Sequence, residues 1–197
     1  MKYPTFFNTT PTVKLRDPLS AFLGTFEDGI IEFSYLDVVK SAGHSCPTVS
    51  GAYIVTLKAL EALYPNQLPV RGEIEIYINN EMTQGVTGVI ANVITQITGA
   101  TELSGFKGLN GKFARHNLMH FNADIDGEYK FVRKDNQESV TLSYDPTPIK
   151  GNPKQQELMM KLMQGVATQL EAIEFGKLWQ ERVEKIFENI DEVITIK

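Results

Sequence analysis

Apolar positions recur at spacings of three and four along Val49, Ala52, Tyr53, Thr56, Leu57, Leu60 and Leu63. That period predicts a helix over Thr48–Tyr64 with one buried face, ended by Pro65-Asn66. From Glu73 to Asn79 the period changes to two, with Ile74, Ile76 and Ile78 on one side, which predicts a half-buried strand. Further strands are predicted at Gly29–Phe33, Lys112–Phe121, Glu128–Lys134 and Val140–Tyr144, the last two joined as a hairpin through Asp135-Asn136. Ser34 with Asp37 three residues on reads as a capped helix start, and Ala42-Gly43 as its stop. Gln84–Thr98 is rich in β-branched residues, which lowers helix propensity, but its length and the glycine at Gly99 favour a helix. Residues 1–27 read as loop-rich.

Past Pro146, Pro148 and Pro153 the pattern becomes long, charged and helix-periodic from Lys154 to Asn189. One apolar stripe runs through Leu158, Met159, Leu162, Met163, Val166, Leu170 and Ile173. A second runs through Leu178, Trp179, Val183, Ile186, Phe187 and Ile190, with Gly165 and Gly176 as candidate breaks. The expected fold class is α+β, a mixed or antiparallel sheet packed with helices, over residues 1–150, followed by a helical extension over 151–197. Two stripes exceed what a docked helix pair requires, so a homodimer is expected, with Met159, Met163, Leu178, Trp179 and Phe187 as interface material.

Composition narrows the function classes. The chain has 197 residues, 42% of them hydrophobic and 22% charged, enough for an ordinary core without a disulfide or metal staple. One cysteine excludes an internal disulfide and is compatible with a reducing compartment. A net charge of −5 argues against nucleic-acid binding through a basic field. The cations Lys107, Lys112, Arg115, Lys130, Arg133 and Lys134 read as a solvated hairpin face, with an anion-binding edge as the alternative. The N-terminus lacks the apolar core of a signal peptide and no run approaches a membrane span, so a soluble cytoplasmic protein is the expectation.

The chemistry concentrates in Gly43-His44-Ser45-Cys46-Pro47. Proline is favoured at the first helical position, which makes Cys46 the expected N-cap. The free N–H groups and dipole at a helix start favour an anion, hence thiolate over thiol. His44, two residues upstream, can share a metal with the sulfur or exchange a proton with it. A lone cysteine is otherwise most often a small buried hydrophobe, and the helix start is what lifts this pair above that. The remaining histidines, His116 and His120, are four apart. On a helix they would stand side by side, whereas on a strand they share a face roughly 13 Å apart at ~3.3 Å per residue. The surrounding pattern favours strand, so at most one of them would be a first ligand. Thiolate with imidazole suits zinc, nickel or iron better than magnesium or calcium.

Gly43-His44-Ser45-Cys46-Pro47 ahead of a small-residue helix resembles the His-Gly-His-x-Cys-Pro-Gly signature of the FmdE family, named for the E component of formylmethanofuran dehydrogenase. Ile97-Thr98-Gly99-Ala100-Thr101 and Gly111-Lys112 resemble that family's later Leu-Thr-Gly-Cys-Thr and Gly-Lys segments. The resemblance implies an α+β domain related to the catalytic-domain fold of glyceraldehyde-3-phosphate dehydrogenases, commonly dimeric, with a metal at the His-x-Cys loop, here His44 and Cys46. Ala42 replaces the first motif histidine, Thr48 the motif glycine and Ala100 a frequent cysteine, Asn92 sits near the usual aspartate, and no cysteine-rich ribbon follows residue 150.

The expected function is therefore binding of one transition metal, zinc first, by His44 and Cys46, with His116 or His120 as a third ligand. An open position would leave room for a small-molecule substrate. The alternatives are a metal-free enzyme with Cys46 as nucleophile and a histidine as base, and a noncatalytic accessory protein acting through its C-terminal helices.

Overall fold

The computed structural model describes residues 1–197, and it builds the fold around one helix that water hardly touches. The chain begins with a 3₁₀ turn at Thr5–Asn8 and a short ribbon: β1 (Val13–Arg16), α1 (Pro18–Phe22) and β2 (Ile30–Phe33), β1 pairing antiparallel with β2. Then come α2 (Tyr35–Ala42), α3 (Pro47–Leu63), β3 (Ile74–Ile78), α4 (Thr87–Thr98), β4 (Met119–His120), β5 (Tyr129–Arg133) and β6 (Ser139–Tyr144). The C-terminal part holds α5 (Lys154–Met163), α6 (Gln169–Glu188), a single turn α7 (Ile190–Val193) and β7 (Ile194–Ile196). The main sheet runs β4-β3-β5-β6-β7, parallel between β3 and β4 and antiparallel elsewhere, so the class is α+β with a mixed sheet.

Helix α3 packs on β5 and β6 with one side and on α2, α4 and α6 with the others. From Val49 to Leu63 only Lys58, Glu61 and Ala62 escape burial. A single buried face is thus too narrow a description: the run Pro47–Leu57 carries no charge, as a helix surrounded on all sides requires. Fully buried Tyr53, Ile74, Ile76, Phe131 and Leu142 lie in the main core, while Ile54, also fully buried, packs with Ile149, Ile186 and Val193 in a smaller cluster.

The structure departs from the sequence pattern at three places. Only Met119–His120 of Lys112–Phe121 is strand. Asn110, Phe113 and Asn117 take positive φ, and Arg115 turns inward to bond the buried Asp17 carboxylate at 2.7 Å, so tertiary pairing breaks the strand run. Helix α6 passes unbroken through Gly176, whereas the chain does turn at Gly165, which takes φ 71°. Finally, β1 and β7 are short strands that local pattern does not announce; each exists through its partner, β2 and β6.

Candidate metal centre

Helix α2 starts with a reciprocal Ser34–Asp37 capping box and ends at Gly43, whose left-handed φ of 76° suits glycine. The chain reverses there and restarts at once as α3, with Cys46 at the N-cap in extended backbone and Pro47 in the first turn. Cys46 Sγ stands in for the usual capping oxygen, accepting the Val49 N–H at 3.4 Å.

His44 Nδ1 lies 3.0 Å from the Ala42 carbonyl oxygen. A carbonyl only accepts, so Nδ1 carries the proton and, in the neutral ring, Nε2 keeps its lone pair. Nε2 is 3.4 Å from Cys46 Sγ. Bonds of ~2.0–2.1 Å to nitrogen and ~2.3 Å to sulfur at a tetrahedral angle put the two donors roughly 3.6 Å apart. The observed separation matches that span, and a carbonyl behind the distal ring nitrogen is the usual support of a metal-bound histidine. The donor pair thus fits a soft or borderline transition metal. His44 is exposed and Cys46 half-buried, so the pair is accessible from solvent.

The loop carrying this pair is held from three elements. The Ser45 hydroxyl pairs with Tyr35 Oη from α2 at 2.9 Å, inside the protein. The Ser45 carbonyl accepts Trp179 Nε1 and Gln180 Nε2 from α6, both at 3.1 Å. Tyr144 from β6 donates to the Pro47 carbonyl at 2.7 Å. Burial pushes the Tyr35 and Tyr144 phenols far above their ordinary range, with Ser45 partly offsetting this for Tyr35, so both keep their protons. Tyr144 reaches Pro47 because residue 51 is glycine: a methyl group there would clash with the edge of the Tyr144 ring. None of Tyr35, Tyr144, Trp179 and Gln180 stands out in the sequence, where Trp179 reads as one member of an apolar stripe.

A cleft of about 520 Å³ opens beside His44, between Ser41 and Ala42 of α2 and Asn92, Thr95 and Gln96 of α4. Asn92 therefore shares the site region. Ala100 does not contribute a surface there, being fully buried behind the end of α4.

His116 and His120 are placed elsewhere. His116 lies half-buried in the irregular stretch before β4. His120 sits on β4, an edge strand, stacked on Tyr77 with ring centroids 4.7 Å apart. Strand β6, which touches the Cys46 loop through Tyr144, is three strand spacings from β4, roughly 14 Å at ~4.8 Å each. No three His, Cys, Asp or Glu side chains are gathered as a potential metal group anywhere in the chain. The structure brings together His44 and Cys46 alone.

No helix is long and apolar enough to cross a membrane. No curated protein matches the chain. A family model described as "FmdE, Molybdenum formylmethanofuran dehydrogenase operon" matches residues 42–196, from the residue that backs His44 to the end of β7.

Proposed function

The chain belongs to the FmdE family, and on that premise we propose that it is a transition-metal-binding protein, zinc first, with nickel or iron as alternatives, whose ligands are His44 Nε2 and Cys46 Sγ. The observation that supports this best is the 3.4 Å spacing of the two donors with Nδ1 committed to the Ala42 carbonyl. Two ligands from one chain leave the remaining positions to water, to a small-molecule substrate in the cleft beside His44, or to His116 or His120 after rearrangement. When bound, such a metal polarises a carbonyl or acidifies water. The chain's own residues position: Ala42 fixes the imidazole tautomer, and Ser45, anchored by Tyr35, Trp179 and Gln180, fixes the loop.

The same reading takes the core, over residues 1–150, as arranged like the catalytic domain of glyceraldehyde-3-phosphate dehydrogenases, with residues 151–197 as an appended segment. It places the protein in the cytoplasm, where Cys46 stays reduced. The family model runs across residue 150, and β7 closes the sheet, so the appended segment is tied to the core. The protein acts as a homodimer through the apolar surface of α5 and α6 that stays exposed.

Elemental analysis tests the metal assignment. About one equivalent per chain is expected, with none in Cys46→Ala and a loss of roughly tenfold to hundredfold in affinity in His44→Ala. Full occupancy in Cys46→Ala defeats it. The Nε2–Sγ contact also favours a second reading, a metal-free Cys46 nucleophile with His44 as base. That reading expects metal-free protein as purified, with Cys46 alkylation unaffected by a chelator. The metal reading expects alkylation to be slow until a chelator is added.

A further inference from the structure

A concavity of about 440 Å³ opens where the segment after β6 turns into α5, lined among others by Thr147, Lys150, Asn152, Gln155, Trp179 and Arg182. Two cations face it and no acidic side chain lines it. Lys150 has no ion-pair partner, and Arg182 bonds only carbonyls, those of Ile149 at 2.9 Å and Pro146 at 3.4 Å. Asp145, whose carboxyl is held below its ordinary range first by Thr147 and then by the Lys150 charge, is not part of the lining. The start of α5 adds polarity of the same sense. Asn152 takes up its first N–H groups, that of Lys154 through Oδ1 and that of Gln155 through its carbonyl, both at 2.9 Å, Pro153 has none, and the Gln156 N–H has no protein acceptor.

An independent feature points to a ligand. Gln155 lines this concavity, is only 8% exposed, and its buried Nε2 has no acceptor. Buried donors are almost always paired, so a lone one among two unpaired cations asks for an acceptor. We propose that this concavity binds a small molecule through an oxyanion, a carboxylate or a phosphate, held by Lys150, Arg182 and the Gln155 amide, with its apolar part against Met159 and the Trp179 ring. Trp179 also donates to the Ser45 carbonyl, so the ligand lies one side chain away from the loop that carries His44 and Cys46.

Trp179 is the chain's one tryptophan, which makes its fluorescence a local reporter. The full chain is titrated at constant ionic strength with inorganic phosphate and, separately, with succinate, by fluorescence and by calorimetry, the latter reading binding even where fluorescence is silent. Saturable binding of phosphate or of succinate is expected, and which one saturates assigns the oxyanion. Lys150→Glu changes an exposed residue and should weaken binding at least tenfold. Gln155→Leu, checked by circular dichroism for retained fold, should weaken it several-fold. No saturation by about 10 mM of either anion, or saturation unchanged by Lys150→Glu, overturns the proposal. Metal content of the His44–Cys46 loop is measured separately, and neither result depends on the other.

Discussion

At the scale of single residues, the backbone carbonyl of Ser45 links the loop of the His44–Cys46 pair to the rest of the molecule. It accepts two side-chain donors from α6, 134 and 135 residues away in sequence. Trp179→Phe removes one of them and keeps most of the apolar contact. The expected result is a tenfold or greater drop in metal affinity, read by chelator competition, with the fold intact. A second residue of this kind is Asp17, which is 4% exposed, accepts from Arg71 at 3.0 Å and Arg115 at 2.7 Å, and caps α1. Burial by itself would raise its pKa; the Arg71 bond and the Arg115 charge outweigh this and hold it below the ordinary 3.8. A carboxylate lowered on folding stabilises fully above its unfolded pKa, and the contribution is lost as pH falls through the folded value. Denaturant titration should therefore show stability falling below about pH 4 in the wild type and falling less steeply in Asp17→Asn. Asp17→Ala, which leaves Arg115 buried without its partner, should cost about 3–5 kcal/mol at neutral pH.

At the scale of elements, much of the site was legible in the sequence because its signals are local. The Ser34–Asp37 helix start, the stop at Gly43, the Cys46 cap and Pro47 follow from neighbouring residues, and all are where the pattern predicts them. What was not legible depends on distant partners. Met119–His120 is strand only where β3 receives it, and the rest of Lys112–Phe121 is bent by Arg115 reaching Asp17. From the second apolar stripe of the C-terminal segment, Leu178, Trp179 and Phe187 read in the sequence as dimer-interface material, but Trp179 bonds to the Ser45 carbonyl of its own chain. Val183 and Ile186 are fully buried, and Phe187 packs edge-on to Tyr35 with centroids 4.7 Å apart, so this part docks on the core. Gly51 shows the same coupling between elements, since nothing in its neighbours reveals that Tyr144 crosses it. Gly51→Ala should cost about 1–3 kcal/mol by overpacking and loosen the Tyr144–Pro47 bond, with thermal unfolding and metal affinity both reduced. Unchanged metal affinity in a destabilised variant would separate the loop from that anchor.

At the scale of the whole molecule, the first stripe is buried at Leu158 but unpartnered beyond Leu162. Met163, Val166, Leu170 and Ile173 are 84%, 66%, 78% and 62% exposed around the turn between α5 and α6, an apolar surface that a second copy would cover. Sedimentation at micromolar concentration should give a dimer, and Leu170→Glu with Ile173→Glu a folded monomer. A monomeric wild type would remove the dimer from the account. Titrating metal-stripped full-length protein with cobalt(II) probes the His44–Cys46 pair itself. A thiolate-to-cobalt charge-transfer absorption is expected that saturates at one equivalent per chain, weakens in His44→Ala and is absent in Cys46→Ala. A wild type without that absorption, or a Cys46→Ala protein that retains it, would mean that this pair does not hold the metal.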